Sequence, residues 1–350
     1  MLTITKSLFG TLPGDVPVYA YTMANGPQFS VTAITYGGII TDLRVPDRSG
    51  RCETVVLGYD TLSDYQENAG LYLGALVGRL SGRIGRAQFP FSGETVVLPA
   101  NEGENSLHGN GEFSKAVFSA ATNLTADCAE VLLRYRSPDG AEGFPGAVEA
   151  CITYSLSADN VFTIRFDADT DADTVLNLTN HTYFNLSGNL RDTVRSHMVT
   201  ADVTDILELA EDLIPTGRRI PVDGTPFDLR TGARIDDAVV SEHPQAVLVG
   251  HGFDHPFLFR EDGDHTVVLS EPVSGRRLTL KTDYPCLVIY TGNYLDDAAA
   301  IRGIPSRKYF GVALEAQLYP DAPNHADFPP VLLRAGEHYA HTTSWTFDVL

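Results

Sequence analysis

The run Val161-Phe162-Thr163-Ile164-Arg165-Phe166-Asp167 alternates without a break. Phe162, Ile164 and Phe166 share one face; Thr163, Arg165 and Asp167 share the other. A period of two is the signature of a half-buried strand. The pattern recurs on both sides of this run. Residues 29–36 alternate, residues 130–136 turn Val131, Leu133 and Tyr135 inward, and residues 344–350 put Trp345, Phe347 and Val349 on one face. Residues 277–282 and 287–291 read as a strand pair around Asp283-Tyr284-Pro285. Between such runs lie turn clusters, among them Pro13-Gly14-Asp15, Ser137-Pro138-Asp139-Gly140 and Glu261-Asp262-Gly263-Asp264. Helical periodicity is scarce: residues 204–211 fit two turns with Thr204 as N-cap, and residues 234–240 fit a second short helix. Many short strands with regular turns predict an all-β chain, a sandwich or barrel. No linker, repeat or composition break divides it, so one domain over residues 1–350 is expected.

Size and charge narrow the function. The chain has 350 residues, 43% of them hydrophobic, enough for a sizeable core, and a net charge of −20. Nucleic acids and anionic membranes need a basic footprint, so neither is an expected partner. Cys52, Cys128, Cys151 and Cys286 show no CxxC or other metal-ligand spacing and read as free thiols of a reducing compartment. With neither a signal-like N-terminus nor an 18-residue apolar run, the expected location is the cytoplasm.

The chemistry-bearing stretches follow. Residues 314–324, Leu-Glu-Ala-Gln-Leu-Tyr-Pro-Asp-Ala-Pro-Asn, set Glu315 in an apolar run just before a rigid turn. A carboxylate there is costly as pure structure and makes sense as a general base at the mouth of a pocket. Gly78-Arg79-Leu80-Ser81-Gly82-Arg83-Ile84-Gly85 allows three readings: a phosphate cradle, a tight turn presenting one arginine to a neutral polar ligand, or a surface arginine pair. It matches neither the P-loop nor GxGxxG. Residues 105–109 place His108 in a Gly/Asn-rich loop. Residues 177–186 carry Asn177, Thr179, His181 and Tyr183 on one face if extended, as either a hydrogen-bonded core network or the floor of a polar-ligand site. Residues 251–257 add Asp254 between His251 and His255. Combined with His108, His181 and Glu315 this invites a zinc reading, but no H-E-x-x-H or similar spacing supports one, and no metal is expected.

Taken in order, these segments resemble the aldose 1-epimerase family. The match includes Gly37-Gly38, Leu57-Gly58-Tyr59, Gly78-Arg79 through Arg83-Ile84, residues 105–109, Glu142-Gly143-Phe144-Pro145-Gly146 and residues 177–186. It continues through Ile214-Pro215-Thr216-Gly217, residues 224–228 and 252–255, Tyr290-Thr291-Gly292-Asn293 and residues 314–324. Any one segment is weak; the ordered set is specific. The resemblance implies a large twisted antiparallel β-sandwich with few short helices and an open sugar cleft, and would leave residues 204–211 extended. It implies Glu315 as general base and His181 as general acid on a free hexose such as glucose or galactose. His108 would bond near the ring oxygen, Asp254 and Arg83 would bind hydroxyls, and Tyr183 would line the cleft. No cofactor is implied, and the chain would be a monomer or homodimer. Mutual attraction would lower the Glu315 pKa and raise that of His181. There are two departures, Gly82 where the family usually has Asn and Val288 where it often has Gln, and both bear on sugar preference. The rival readings are a glycosidase using Glu315 and Asp254, a 6-phosphosugar epimerase recruiting Arg276-Arg277 or Arg218-Arg219, and a non-catalytic sugar-binding module.

Overall fold

A computed structural model describes residues Met1–Leu350. The alternating run at 161–167 lies in strand Val161–Thr170, fourth in a nine-stranded antiparallel sheet. Its neighbours are Val148–Ser157 and the C-terminal strand His338–Val349. As the alternation requires, Phe162, Ile164 and Phe166 are buried, as are Val131, Leu133 and Trp345 on neighbouring strands. Tyr135 is only partly buried, packed against the edge of this core. Residues 234–240 contain the short helix Ile235–Val239.

Facing this sheet is a six-stranded one, in the order Tyr183–Phe184, Val312–Gln317, Cys286–Tyr290, Asp254–Phe259, Val203–Leu209, Pro215–Pro221. Both sheets contribute to one apolar core, which also takes Tyr21, Met23, Val31 and Leu43 from a five-stranded N-terminal sheet. The result is a β-sandwich with few, short helices. Residues 204–211 lie mostly in strand Val203–Leu209, paired on both sides. Two ladders outweigh the local helical pattern, because strand formation depends on cross-strand partners more than on intrinsic preference.

One sequence expectation is corrected. Strands Arg276–Thr282 and Cys286–Tyr290 do not pair with each other; the first belongs to the nine-stranded sheet, the second to the six-stranded one. Residues 283–285 therefore cross between the layers. Tyr284, fully buried, pins the crossing, its hydroxyl donating to the Leu178 carbonyl at 2.8 Å and sharing a bond with the Tyr339 hydroxyl at 2.7 Å.

Period two in Val312–Gln317 prepares the site. Leu314 and Ala316 join the core between the sheets, while Glu315 and Gln317 turn to the opposite face. The same parity sends Phe257, Leu287 and Ile289 inward and Asp254, Pro256, Val288 and Tyr290 to the pocket.

Candidate active site

Ladder register assembles the pocket wall in two adjacent rows. Pro256, Val288 and Glu315 stand opposite one another across three strands; Asp254, Tyr290, Ala313 and Tyr183 form the next row. All of these side chains except Ala313 border a cavity of ≈ 200 Å³, closed on its other side by Arg83, Glu102, His108, His181 and Tyr72. Arg83 and Leu107 are paired residues of a two-stranded ladder, which brings Arg83 and the next residue, His108, to the same rim. The turn after Glu315 is bolted down: Asp321 Oδ1 accepts the Gly85 N–H at 3.0 Å and the Asn324 Nδ2 at 2.7 Å.

All six site residues expected from the sequence, Glu315, His181, Arg83, His108, Tyr183 and Asp254, line this one pocket. The His181 Nε2 lies 3.4 Å from Glu315 Oε1. The His181 ring also lies 4.9 Å from that of Tyr183, tilted by 35°, and meets His108 edge-on at 5.3 Å. His108 Nδ1 accepts the Gly82 N–H at 3.2 Å, so in the neutral ring Nε2 carries the proton and is a donor. Gly82 is at φ +79°, and a Cβ there would come within 2.6 Å of Pro320 Cβ. Backbone angle and close approach both account for the first departure from the family pattern.

Burial works against the charged form of both members of the central pair, opposite to the direction expected from mutual attraction. Glu315 is 3% exposed and its Oε2 has no partner. Burial, with Asp254 adding to it, pushes its carboxyl well above the usual range. Burial pushes His181 down to about 4, and pushes His108 well below its ordinary value, with His181 and Arg83 adding to the effect. Desolvation outweighs attraction across 3.4 Å because neither group regains enough hydrogen bonds to replace its water. The Asp254 carboxyl is raised too, by burial first and by Glu102, with Arg83 opposing. Burial alone would lower the Arg83 guanidinium; Asp254 and Glu102 reverse this, and the net direction is up.

Other stretches divide between structure and site. Of the two arginines in the Gly/Arg-rich stretch, only Arg83 reaches the pocket, beside Gly82, as the turn-and-one-arginine reading expects. Arg79 is fully buried and structural, donating to Ser137 Oγ at 2.8 Å and to the carbonyls of Pro138 and Gly146 at 2.7 and 2.6 Å. The 177–186 face is also split. Asn177 brackets the Leu318 backbone and Thr179 donates to the Ala316 carbonyl, while His181 and Tyr183 face the cavity. His255 is buried beside Phe227, away from the cavity lining. The arginine pairs that a phosphate would need also lie elsewhere. Arg276 is buried on Glu53, Arg277 pairs with Asp348, Arg218 pairs with Glu208, and Arg219 lies over Tyr319.

His108, His181 and Glu315 offer ligand atoms within 4.8 Å of one another. Tetrahedral zinc, with bonds of about 2.0–2.2 Å, needs donors roughly 3.3 Å apart. The Gly82 contact also leaves His108 presenting N–H rather than a lone pair to the cavity, so the trio is a poor ligand set for an ion.

Gln317 and Glu102 are among the pocket residues that escaped the sequence reading. Gln317 is fully buried with neither amide atom bonded, and its parity with Glu315 was the available signal. Glu102 grips Arg83 through Nε at 2.6 Å and Nη2 at 3.0 Å, and no local pattern marked it.

Comparison with known proteins follows the same outline. The family model described as aldose 1-epimerase matches residues 19–346. Galactose mutarotase of Rattus norvegicus is 37% identical over 353 residues, covering 100% of both chains. Aldose 1-epimerase of Escherichia coli (strain K12) is 34% identical over 353 residues, covering 99% of each. The crystal structure of galactose 1-epimerase from Lactobacillus acidophilus NCFM superposes with a TM-score of 0.88 at 27% identity, covering 100% of this chain and 99% of that one. The chain belongs to the aldose 1-epimerase family and is an isomerase acting on carbohydrates.

Proposed function

We propose that the protein interconverts the α and β anomers of free aldohexoses, galactose and glucose among them, with Glu315 as base and His181 as acid. The observation that carries this reading is the buried 3.4 Å contact between His181 Nε2 and Glu315 Oε1, at the floor of a sugar-sized cavity. The names of the relatives supply the sugar class.

The pair needs one proton, held in either of two arrangements. As imidazolium and carboxylate it opens the ring. Glu315 takes the O1 proton, the C1=O1 bond forms, the C1–O5 bond breaks, and O5 takes the His181 proton. The pair is left as carboxylic acid and imidazole, the arrangement that burial favours. A site that raises the carboxyl and lowers the imidazole therefore stabilises the ring-opened complex relative to the closed one. Rotation about C1–C2 presents the other carbonyl face. O5 then returns its proton to His181 as it closes on C1, and Glu315 returns its own to O1. Protons balance within the pair, and positioned groups of this kind contribute about 10²–10⁴-fold each. His108 Nε2–H is available to the ring oxygen, and Asp254 and Arg83 to hydroxyls that do not react.

Two rivals fit less well. A glycosidase would need Asp254 free as the second carboxylate, yet its Oδ2 faces Arg83 Nη1 at 3.5 Å. A 6-phosphosugar epimerase would need unpaired arginines at the cavity, and of Arg218, Arg219, Arg276 and Arg277 none lines it, three of them being paired with carboxylates elsewhere. Polarimetry on freshly dissolved α-galactose and α-glucose tests the proposal. Equilibration faster than in buffer alone is expected, and an unchanged rate with folded protein rejects it.

A further inference from the structure

We infer that Glu102 is a positioning and specificity-determining residue that fixes Arg83 and sets the pocket against anionic sugars, an inference that rests on the sugar-site reading above. Arg83 is the only lysine or arginine among the residues lining the cavity. Glu102 takes two of its donor edges, Nε at 2.6 Å and Nη2 at 3.0 Å, in the planar fork that suits guanidinium and carboxylate. Its remaining nitrogen, Nη1, faces Asp254 Oδ2 at 3.5 Å. The single cation thus sits between two carboxylates.

The loop that carries Glu102 is held from several directions. Its N–H donates to the Asn105 carbonyl at 3.1 Å and its carbonyl accepts the Asn105 N–H at 2.9 Å. Asn101 bonds the Leu107 N–H at 2.7 Å and the Leu107 carbonyl at 3.0 Å, tying the loop to the ladder that carries Arg83. The carboxylate is therefore placed before ligand arrives, which restricts Arg83 to one rotamer at no cost on binding.

The charge count gives the selectivity. Arg83, Glu102 and Asp254 sum to −1, and the Glu315–His181 pair with one proton adds nothing. A neutral pyranose is indifferent to this field and uses Arg83 Nη1 and Asp254 as a donor–acceptor pair. A uronate or a sugar phosphate meets no free cation and one uncompensated negative charge. At an effective dielectric of about 20, one unit charge several ångströms away changes affinity by on the order of tenfold to a hundredfold.

The test uses Glu102→Gln and Glu102→Asp, titrated calorimetrically with galactose and with galacturonate, alongside polarimetry on galactose. In Glu102→Gln the ratio of galacturonate to galactose Kd should fall by at least about tenfold, and less at high salt. KM for galactose should rise more than kcat falls, because Arg83 is loosened rather than any proton-transfer group removed. Glu102→Asp, which keeps the charge, should retain most of the wild-type discrimination. An unchanged Kd ratio in Glu102→Gln overturns the inference. So does an equal change in Asp348→Asn, whose carboxylate pairs with Arg277 away from the cavity lining, because that would be a whole-molecule charge effect. Absence of mutarotation by the wild type would reject the proposed activity, while the binding ratios would still decide the role of Glu102.

Discussion

Replacing Glu315 with Gln separates the catalytic role of this side chain from its structural cost. Gln keeps the shape but accepts no proton at neutral pH, so the O1 proton loses its acceptor. A positioned base is worth about 10²–10⁴-fold, or roughly 2.7–5.5 kcal/mol of barrier at about 1.36 kcal/mol per decade. The loss should fall on kcat, since the group acts as the ring opens and not in ground-state binding. Stability should move the other way. The folded-state carboxyl of Glu315 is raised above its unfolded value by burial, and one of its oxygens has no partner. Above the unfolded pKa, about 4.3, the unfolded chain releases this proton more readily than the folded one, so ionisation favours unfolding as pH rises. Gln removes that penalty. Thermal melts should therefore give a higher Tm for Glu315→Gln than for wild type at pH 7, with the gap closing as pH falls towards 4. Polarimetry supplies kcat and calorimetry supplies Tm. A folded variant that keeps more than about a tenth of wild-type kcat contradicts the base assignment. A Tm lower than wild type at pH 7 contradicts the claim that burial of the carboxylate is a cost.

The pH profile of kcat/KM should be bell-shaped, with limbs that belong to the pair rather than to either residue. Uptake of a second proton on the pair should inactivate only near pH 4, where His181 is pushed, and loss of the last proton should inactivate above the ordinary carboxylate range; an acid limb near pH 6.5 would show that burial does not control His181. His181→Asn should cut kcat far more than it changes KM, whereas Arg83→Ala should chiefly raise KM; a His181 variant with near-normal kcat moves the acid to His108, whose Nε2–H also faces the cavity. Gln317→Leu should raise both Tm and the KM for galactose, since an unpartnered buried amide costs about 1–3 kcal/mol unless a ligand uses it; Tm measured with and without galactose checks it, and a variant with unchanged KM would reduce Gln317 to packing.

The strands were legible where alternation was long and regular. Residues 161–167 declare one buried face and keep it; of the face read in residues 344–350, Trp345 is buried, Phe347 is partly buried and Val349, at the strand end, is exposed. Glu315, His181 and Tyr183 were legible as chemistry out of place, a carboxylate in an apolar run and polar side chains interleaved with apolar ones, whereas Arg83, His108 and Asp254 were marked out by the family resemblance. What local pattern could not supply was partnership. Residues 204–211 carry a helical spacing that two flanking strands overrule, and residues 277–282 and 287–291 look like a hairpin although Tyr284 anchors a crossing between sheets. The protonation of the central pair turned on depth: attraction between Glu315 and His181 is a property of two residue types, but desolvation depends on everything packed around them, and it reversed both expected directions. Glu102 illustrates the same limit. Nothing in residues 101–105 distinguishes it from any loop glutamate; only the register that sets Leu107 against Arg83 brings its carboxylate to the guanidinium. Sequence determined which ionisable groups this protein has to bring to the cavity and which faces its strands bury. Tertiary structure decided which groups meet, how far each is from water, and therefore which of them hold their protons.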